Sequence, residues 1–100
     1  MSDVYALVRE IREKRWPRNR FFEAHATPGG AEARRVHRFL RAVEKDLLAA
    51  DQVEVEREAA GWRITMRFPS VRLSRVVVLS RDEHAILVED PRVARLFPDG

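Results

Sequence analysis

Residues 53–68 read VEVEREAAGWRITMRF, and this stretch decides the fold. In its second half Trp62, Ile64, Met66 and Phe68 alternate with Arg63, Thr65 and Arg67, the period of two that sends successive side chains to opposite faces of a strand. Upstream, Val53 and Val55 alternate with Glu54, Glu56 and Glu58. The join is Ala60-Gly61, where glycine allows positive φ and hence a tight reversal. A two-residue loop there sets Glu58 opposite Arg63, Glu54 opposite Arg67, Val55 opposite Met66 and Val53 opposite Phe68. Charges then pair on one face and hydrophobes on the other, so this register satisfies both faces at once.

Towards the N-terminus the period changes to 3.6. In 31–50, AEARRVHRFLRAVEKDLLAA, residues Val36, Phe39, Leu40, Val43 and Leu47 fall on one face of a helix wound at about 100° per residue. Arg34, Arg38, Arg41 and Lys45 fall in a sector about 60° wide on the opposite side, with no acidic residue inside it. Thr27-Pro28 supplies an N-cap followed by proline, and Gly29-Gly30 weakens the first turn, so the firm helix is expected from Ala31. An earlier helix is expected over 3–16, with Val4, Leu7, Val8 and Ile11 on its apolar face, Ser2 as N-cap and Pro17 as its stop. The connector PRNRFFEAHAT has room for a short strand at 20–24.

Towards the C-terminus, Pro69-Ser70 marks a turn and 71–79 a third strand. Ser80-Arg81-Asp82-Glu83 reads as the next turn and 84–89 as a fourth strand. Val76 to Leu79 and Ala85 to Val88 are apolar on both faces, which asks for cover on both sides. Asp90-Pro91 repeats the N-cap-then-proline signal for a short helix over 91–97. The expected order is α-α-β-β-β-β-α: two N-terminal helices, a four-stranded antiparallel meander and a short C-terminal helix, in one α+β domain over residues 1–100. If the second turn also has two residues, Arg57, Ile64 and Arg75 line up on the apolar face. Two arginines there either snorkel to the rim, Arg57 over Trp62, or bind a buried carboxylate or anion.

Composition removes several functional classes. There is no cysteine, which excludes disulfides, thiolate nucleophiles and Cys-ligated metals. The apolar run at 4–8 is far below the roughly 20 residues of a membrane span, and no secretory leader pattern opens the chain, so a cytoplasmic protein without membrane contact is expected. The phosphate-loop, dinucleotide and nucleophile-elbow patterns and HExxH are absent. His25 and His37 stand singly, and Asp82-Glu83-His84 reads as a polar turn. No enzyme activity, metal, cofactor or small-molecule ligand is expected.

Binding is the remaining class. Net charge is +3, with seventeen of nineteen basic residues arginine, a bias that GC-rich coding produces by itself. Its distribution says more: residues 1–50 hold eleven Lys/Arg against seven Asp/Glu, and 51–100 hold eight against nine. Like charges at i, i+4 repel on a helix, so the uninterrupted row Arg34, Arg38, Arg41, Lys45 suits a partner of opposite charge. Arg15, Arg18 and Arg20 lie among Trp16, Phe21 and Phe22, a mix that also suits a nucleic-acid strand. Val76, Val78, Ala85 and Leu87 form the expected dimer face, since seven residues of terminal helix cover little area. The sequence thus points to a small adaptor or regulatory protein acting through contacts with an acidic protein partner or with itself. Nucleic-acid binding through helix 31–50 is the alternative, and a small enzyme without a recognisable motif is the third class.

Overall fold

A computed structural model of the chain describes residues 4–13, 16–17 and 28–97. The fold is α+β, with a three-stranded antiparallel sheet in the order β1-β2-β3. The chain divides into two compact units, Met1–Arg41 and Ala42–Gly100.

In the first unit α1 spans Val4–Arg12 and buries Val8 and Ile11, two of the four positions that carry its helical spacing. It stops short of the expected residue 16. Trp16 is buried and its indole Nε1 donates to Glu10 Oε2 at 2.8 Å. Six residues further along an unbroken helix would lie about 9 Å up the axis and well round it, so this contact requires the chain to leave the helix. The strand expected at 20–24 lies outside the described residues.

Helix α2 spans Gly30–Ala49. Ala33, Leu40, Val43 and Leu47 are buried along its apolar stripe. Among the described residues the helical hydrogen bonds open with Ala33 N–H to Gly29 O at 2.9 Å; Thr27, the expected cap, lies outside the described residues. Gly29 has φ 75°, a conformation open to glycine at little cost.

In the second unit β1 (Gln52–Glu58) pairs with β2 (Gly61–Phe68), and β2 with β3 (Leu73–Ser80). The β1–β2 register differs from expectation by two residues. Val55 faces Ile64, Val53 faces Met66, and Glu58 faces Gly61, so the loop is Ala59-Ala60. A shift of two keeps every side chain on its face, which is why alternation cannot distinguish the two registers. The expected charge partners still meet, now diagonally: Arg63 Nε lies 2.8 Å from Glu58 Oε1, and Arg67 Nη2 3.4 Å from Glu54 Oε2. Gly61 is needed for another reason than a positive φ. A Cβ there would stand 1.9 Å from Leu79 O of β3, so only glycine permits the third strand to approach.

The second turn is longer than two residues. Pro69–Val71 form a single 3-10 turn, and Arg72, left-handed at φ 53°, donates its N–H to Pro69 O. Arg57 therefore shares a row with Trp62 and Leu79, and Arg75 a different row with Met66.

The fourth strand is corrected to a helix, α3, spanning Arg81–Leu87. Ser80 Oγ accepts from Glu83 N–H at 3.2 Å, and Glu83 Oε1 accepts from Ser80 N–H at 2.9 Å. This reciprocal capping box satisfies two backbone donors that a helix start otherwise leaves unpaired. The final helix, α4, is shortened to Pro91–Ala94, capped by Asp90, whose Oδ1 accepts from Arg92 N–H. Ile64, Met66, Leu79, Ile86, Leu87 and Val93 are the fully enclosed side chains of sheet, α3 and α4.

Candidate functional site

Three surfaces carry side chains with something to offer a partner. The first is the basic back of α2. Arg38, Arg41 and Lys45 are exposed, Arg34 half-buried. Neighbouring Arg35 is 3.8 Å from Glu32 in a solvated i, i+3 pair that contributes little. The row is thus present on one continuous helix. Its expected aromatic companion Trp16 is turned inward, and this corrects its assignment as an exposed contact. Arg15, Arg18, Arg20, Phe21 and Phe22 lie outside the described residues.

The second surface is β3. Val76 is 58% and Val78 56% exposed, on the sheet face opposite the core. Their β2 neighbours on that face are Thr65 and Arg63. Leu73, which opens the strand, and Val71, in the turn before it, are exposed as well. Ala85 is exposed on α3, whereas Leu87 is fully buried, which removes it from the expected dimer face. The reason is the helix: adjacent positions on α3, about 100° apart, let Ile86 and Leu87 enter the core together, where a strand would have sent them to opposite faces. The two edges of the sheet differ in character. On β1, Glu54, Glu56 and Glu58 line one face, while β3 reads LSRVVVLS with Arg75 as its one charge. Arg75 is itself engaged, its guanidinium Nη1 bonded to Asp46 Oδ2 of α2. Of the two fates expected for arginines on this sheet, Arg75 takes the carboxylate and Arg57 the aromatic ring, its guanidinium carbon 5.5 Å from the Trp62 centroid.

The third surface was not anticipated. A cleft of about 290 Å³ opens between the β1–β2 turn and the first turn of α3, lined by Arg57, Glu58, Gly61, Trp62, Arg81 and His84. Arg81 Nη2 donates to Ala59 O at 3.1 Å, holding the start of α3 to the hairpin turn. The His84 ring stacks on Trp62, centroids 4.6 Å apart and 22° from parallel. Phe97 closes the group edge-on, 4.7 Å from His84 and 5.7 Å from Trp62. Burial, and then the Arg57 cation, push the His84 pKa below the ordinary 6.5, so the ring favours its neutral form. Its Nε2 is enclosed and has no hydrogen-bond partner. The sequence announces Arg57 over Trp62, but nothing in its spacing brings Arg81 and His84 to that pair. The one usable signal was the S-x-x-E capping pattern, which converts 81–87 into a helix and turns His84 towards Trp62.

Among the described residues no three His, Asp or Glu side chains gather in a way that could hold a metal, and no helix is long and apolar enough to cross a membrane. Compared with protein-family models, curated proteins and solved structures, the chain matches none.

Proposed function

We propose that the protein acts by binding, as a small adaptor or regulatory protein working through protein contacts, and that its first partner is a second copy of itself, docked along β3. The observation that carries this reading is the contrast between the two sheet edges. Exposed edges offer unpaired N–H and C=O groups, and charged side chains along them oppose pairing with another chain. The β1 edge has that protection in Glu54, Glu56 and Glu58; the β3 edge combines exposed Val76 and Val78 with an arginine already held by Asp46. A two-fold axis through Val77 sets Val76 of one copy opposite Val78 of the other, gathering four valines on the outer face. Such a closed, isologous arrangement extends the three strands to six and removes both apolar edges together.

Sedimentation across a micromolar concentration series tests it. Twice the monomer mass is expected for the native chain, and the monomer mass for the double variant V76E/V78E with unchanged circular dichroism. A monomer throughout, or a dimer indifferent to both substitutions, overturns it.

A second reading rests on Arg38, Arg41 and Lys45, exposed on one side of α2. These charges suit a phosphate backbone or an acidic protein surface. Binding of a random-sequence oligonucleotide that weakens steeply with salt, and that R34E/R38E/R41E abolishes, is its expected signature. Binding unaffected by the triple variant rejects it.

A further inference from the structure

The three-ring group of Trp62, His84 and Phe97 joins β2, α3 and the end of the described chain, and neither reading above uses it. We propose that it is an acid-sensitive clasp: it stays closed only while His84 is neutral, and protonation of that ring releases segment 91–97 from the sheet.

The two ring nitrogens of half-buried His84 sit differently. Nε2 is enclosed and has no hydrogen-bond partner among the described residues, whereas Nδ1 is not enclosed in this way. The neutral ring suits that setting by carrying its proton on Nδ1, which leaves Nε2 a lone pair with nothing to donate. An imidazolium has no such choice. It must carry a second N–H on Nε2, where no acceptor meets it. The ring is also held in place, with Trp62 stacked 4.6 Å away and Phe97 edge-on at 4.7 Å.

No nearby charge rescues the imidazolium. The elements around the ring carry Arg57 and Glu58 on β1, Arg63 on β2, Arg75 on β3, Arg81, Asp82 and Glu83 on α3 itself, and Glu89, Asp90, Arg92 and Arg95 beyond it. Of these Arg57 acts on the ring, and its cation adds to the larger effect of burial in disfavouring the charged form. Glu58 is held by Arg63, Glu83 by the Ser80 N–H and Asp90 by Arg92. The face of Trp62, which attracts cations, is already shared with the Arg57 guanidinium. Strain of this kind is relieved where the packing is weakest. Trp62 cannot give way, because β2 is paired to a strand on either side. Segment 91–97 can: among the described residues its backbone hydrogen bonds all close within 90–97, and Val93 and Phe97 are the buried side chains that seat it. Its departure takes one aromatic ring off His84 and gives the imidazolium water. Acid therefore favours the open form, in which the ring titrates near its ordinary 6.5.

The test uses the full chain labelled with nitrogen-15, with amide protection followed from pH 7.5 to pH 5. Protection at 93–97, corrected for the intrinsic pH dependence of exchange, should fall at least about three-fold and at most about thirty-fold, the limit set by one proton binding at 6.5 in the open form. Amides of β1 and β2 should keep their protection over the same range. The ring nitrogen shifts of His84 at pH 7.5 should report the tautomer with its proton on Nδ1. H84F, which does not titrate, should show no fall. F97A, checked for native amide dispersion, should bring the His84 pKa up towards 6.5. Protection at 93–97 that is flat with pH, a loss equal throughout the sheet, a proton on Nε2 at pH 7.5, or a fall that persists in H84F would overturn the proposal. Because V76E/V78E leaves the three rings untouched, loss of the dimer and loss of the acid response are separate results.

Discussion

Gly61 and His84 show how much one residue carries here. At Gly61 a single methyl group would meet backbone, since Leu79 O is a fixed strand atom and cannot swing aside like a side-chain tip. Gly61→Ala should therefore destabilise the protein by about 3 kcal/mol, at the upper end of overpacking costs, read as a lower urea midpoint. A change below about 0.5 kcal/mol would show that β3 can retreat at little cost. His84 gives a pH dependence. Its pKa in the folded chain lies below the ordinary 6.5, so between those two values the unfolded chain binds more protons than the folded one. Stability from the neutral ring is fully present above pH 6.5 and is lost as pH falls through the window down to the folded pKa. His84→Phe keeps an aromatic ring on Trp62 and removes the titration, so its stability should fall less than that of the native chain between pH 7.5 and pH 5. Equal slopes in urea denaturation at the two pH values would reject this account.

At the scale of elements, α3 is the instructive case. Ala-Ile-Leu-Val at 85–88 suits a buried strand or a short buried helix, and periodicity over four residues cannot choose between them. What chooses is the capping box at Ser80 and Glu83. Ser80→Ala should cost about 1 kcal/mol and should speed amide exchange across 83–87 before it affects β1 or β2. Uniform acceleration throughout the sheet would mean that α3 and the sheet open as one unit. For α2 and β2 the pattern runs long enough to be decisive: twenty residues of helical spacing and eight of strict alternation fixed both elements within a residue or two of where they lie. The basic row of α2 was legible for the same reason, being a matter of angle alone. The cleft was not, because Arg57 and Trp62 stand on a hairpin whose register was displaced, and Arg81 and His84 on a helix read as turn and strand.

For the whole molecule the contrast between a charged and an apolar sheet edge leads to one expectation. If copies pair along β3, folding and association are linked, and the melting temperature of the native chain rises with protein concentration. V76E/V78E should abolish that concentration dependence, and a native melting temperature flat over two decades of concentration would count against the pairing.

Sequence by itself determined the elements with enough length to show a period: the apolar stripe and basic back of α2, the two faces of β2, and the absence of cysteine chemistry. The tertiary structure alone decided the register, the third strand's approach and the cleft. Alternation is unchanged by a slip of two residues, so faces are local information and register is not. In the register adopted, position 61 lies in β2 against the backbone of Leu79 in β3, a contact with a residue outside 53–68 that alternation within that stretch does not carry.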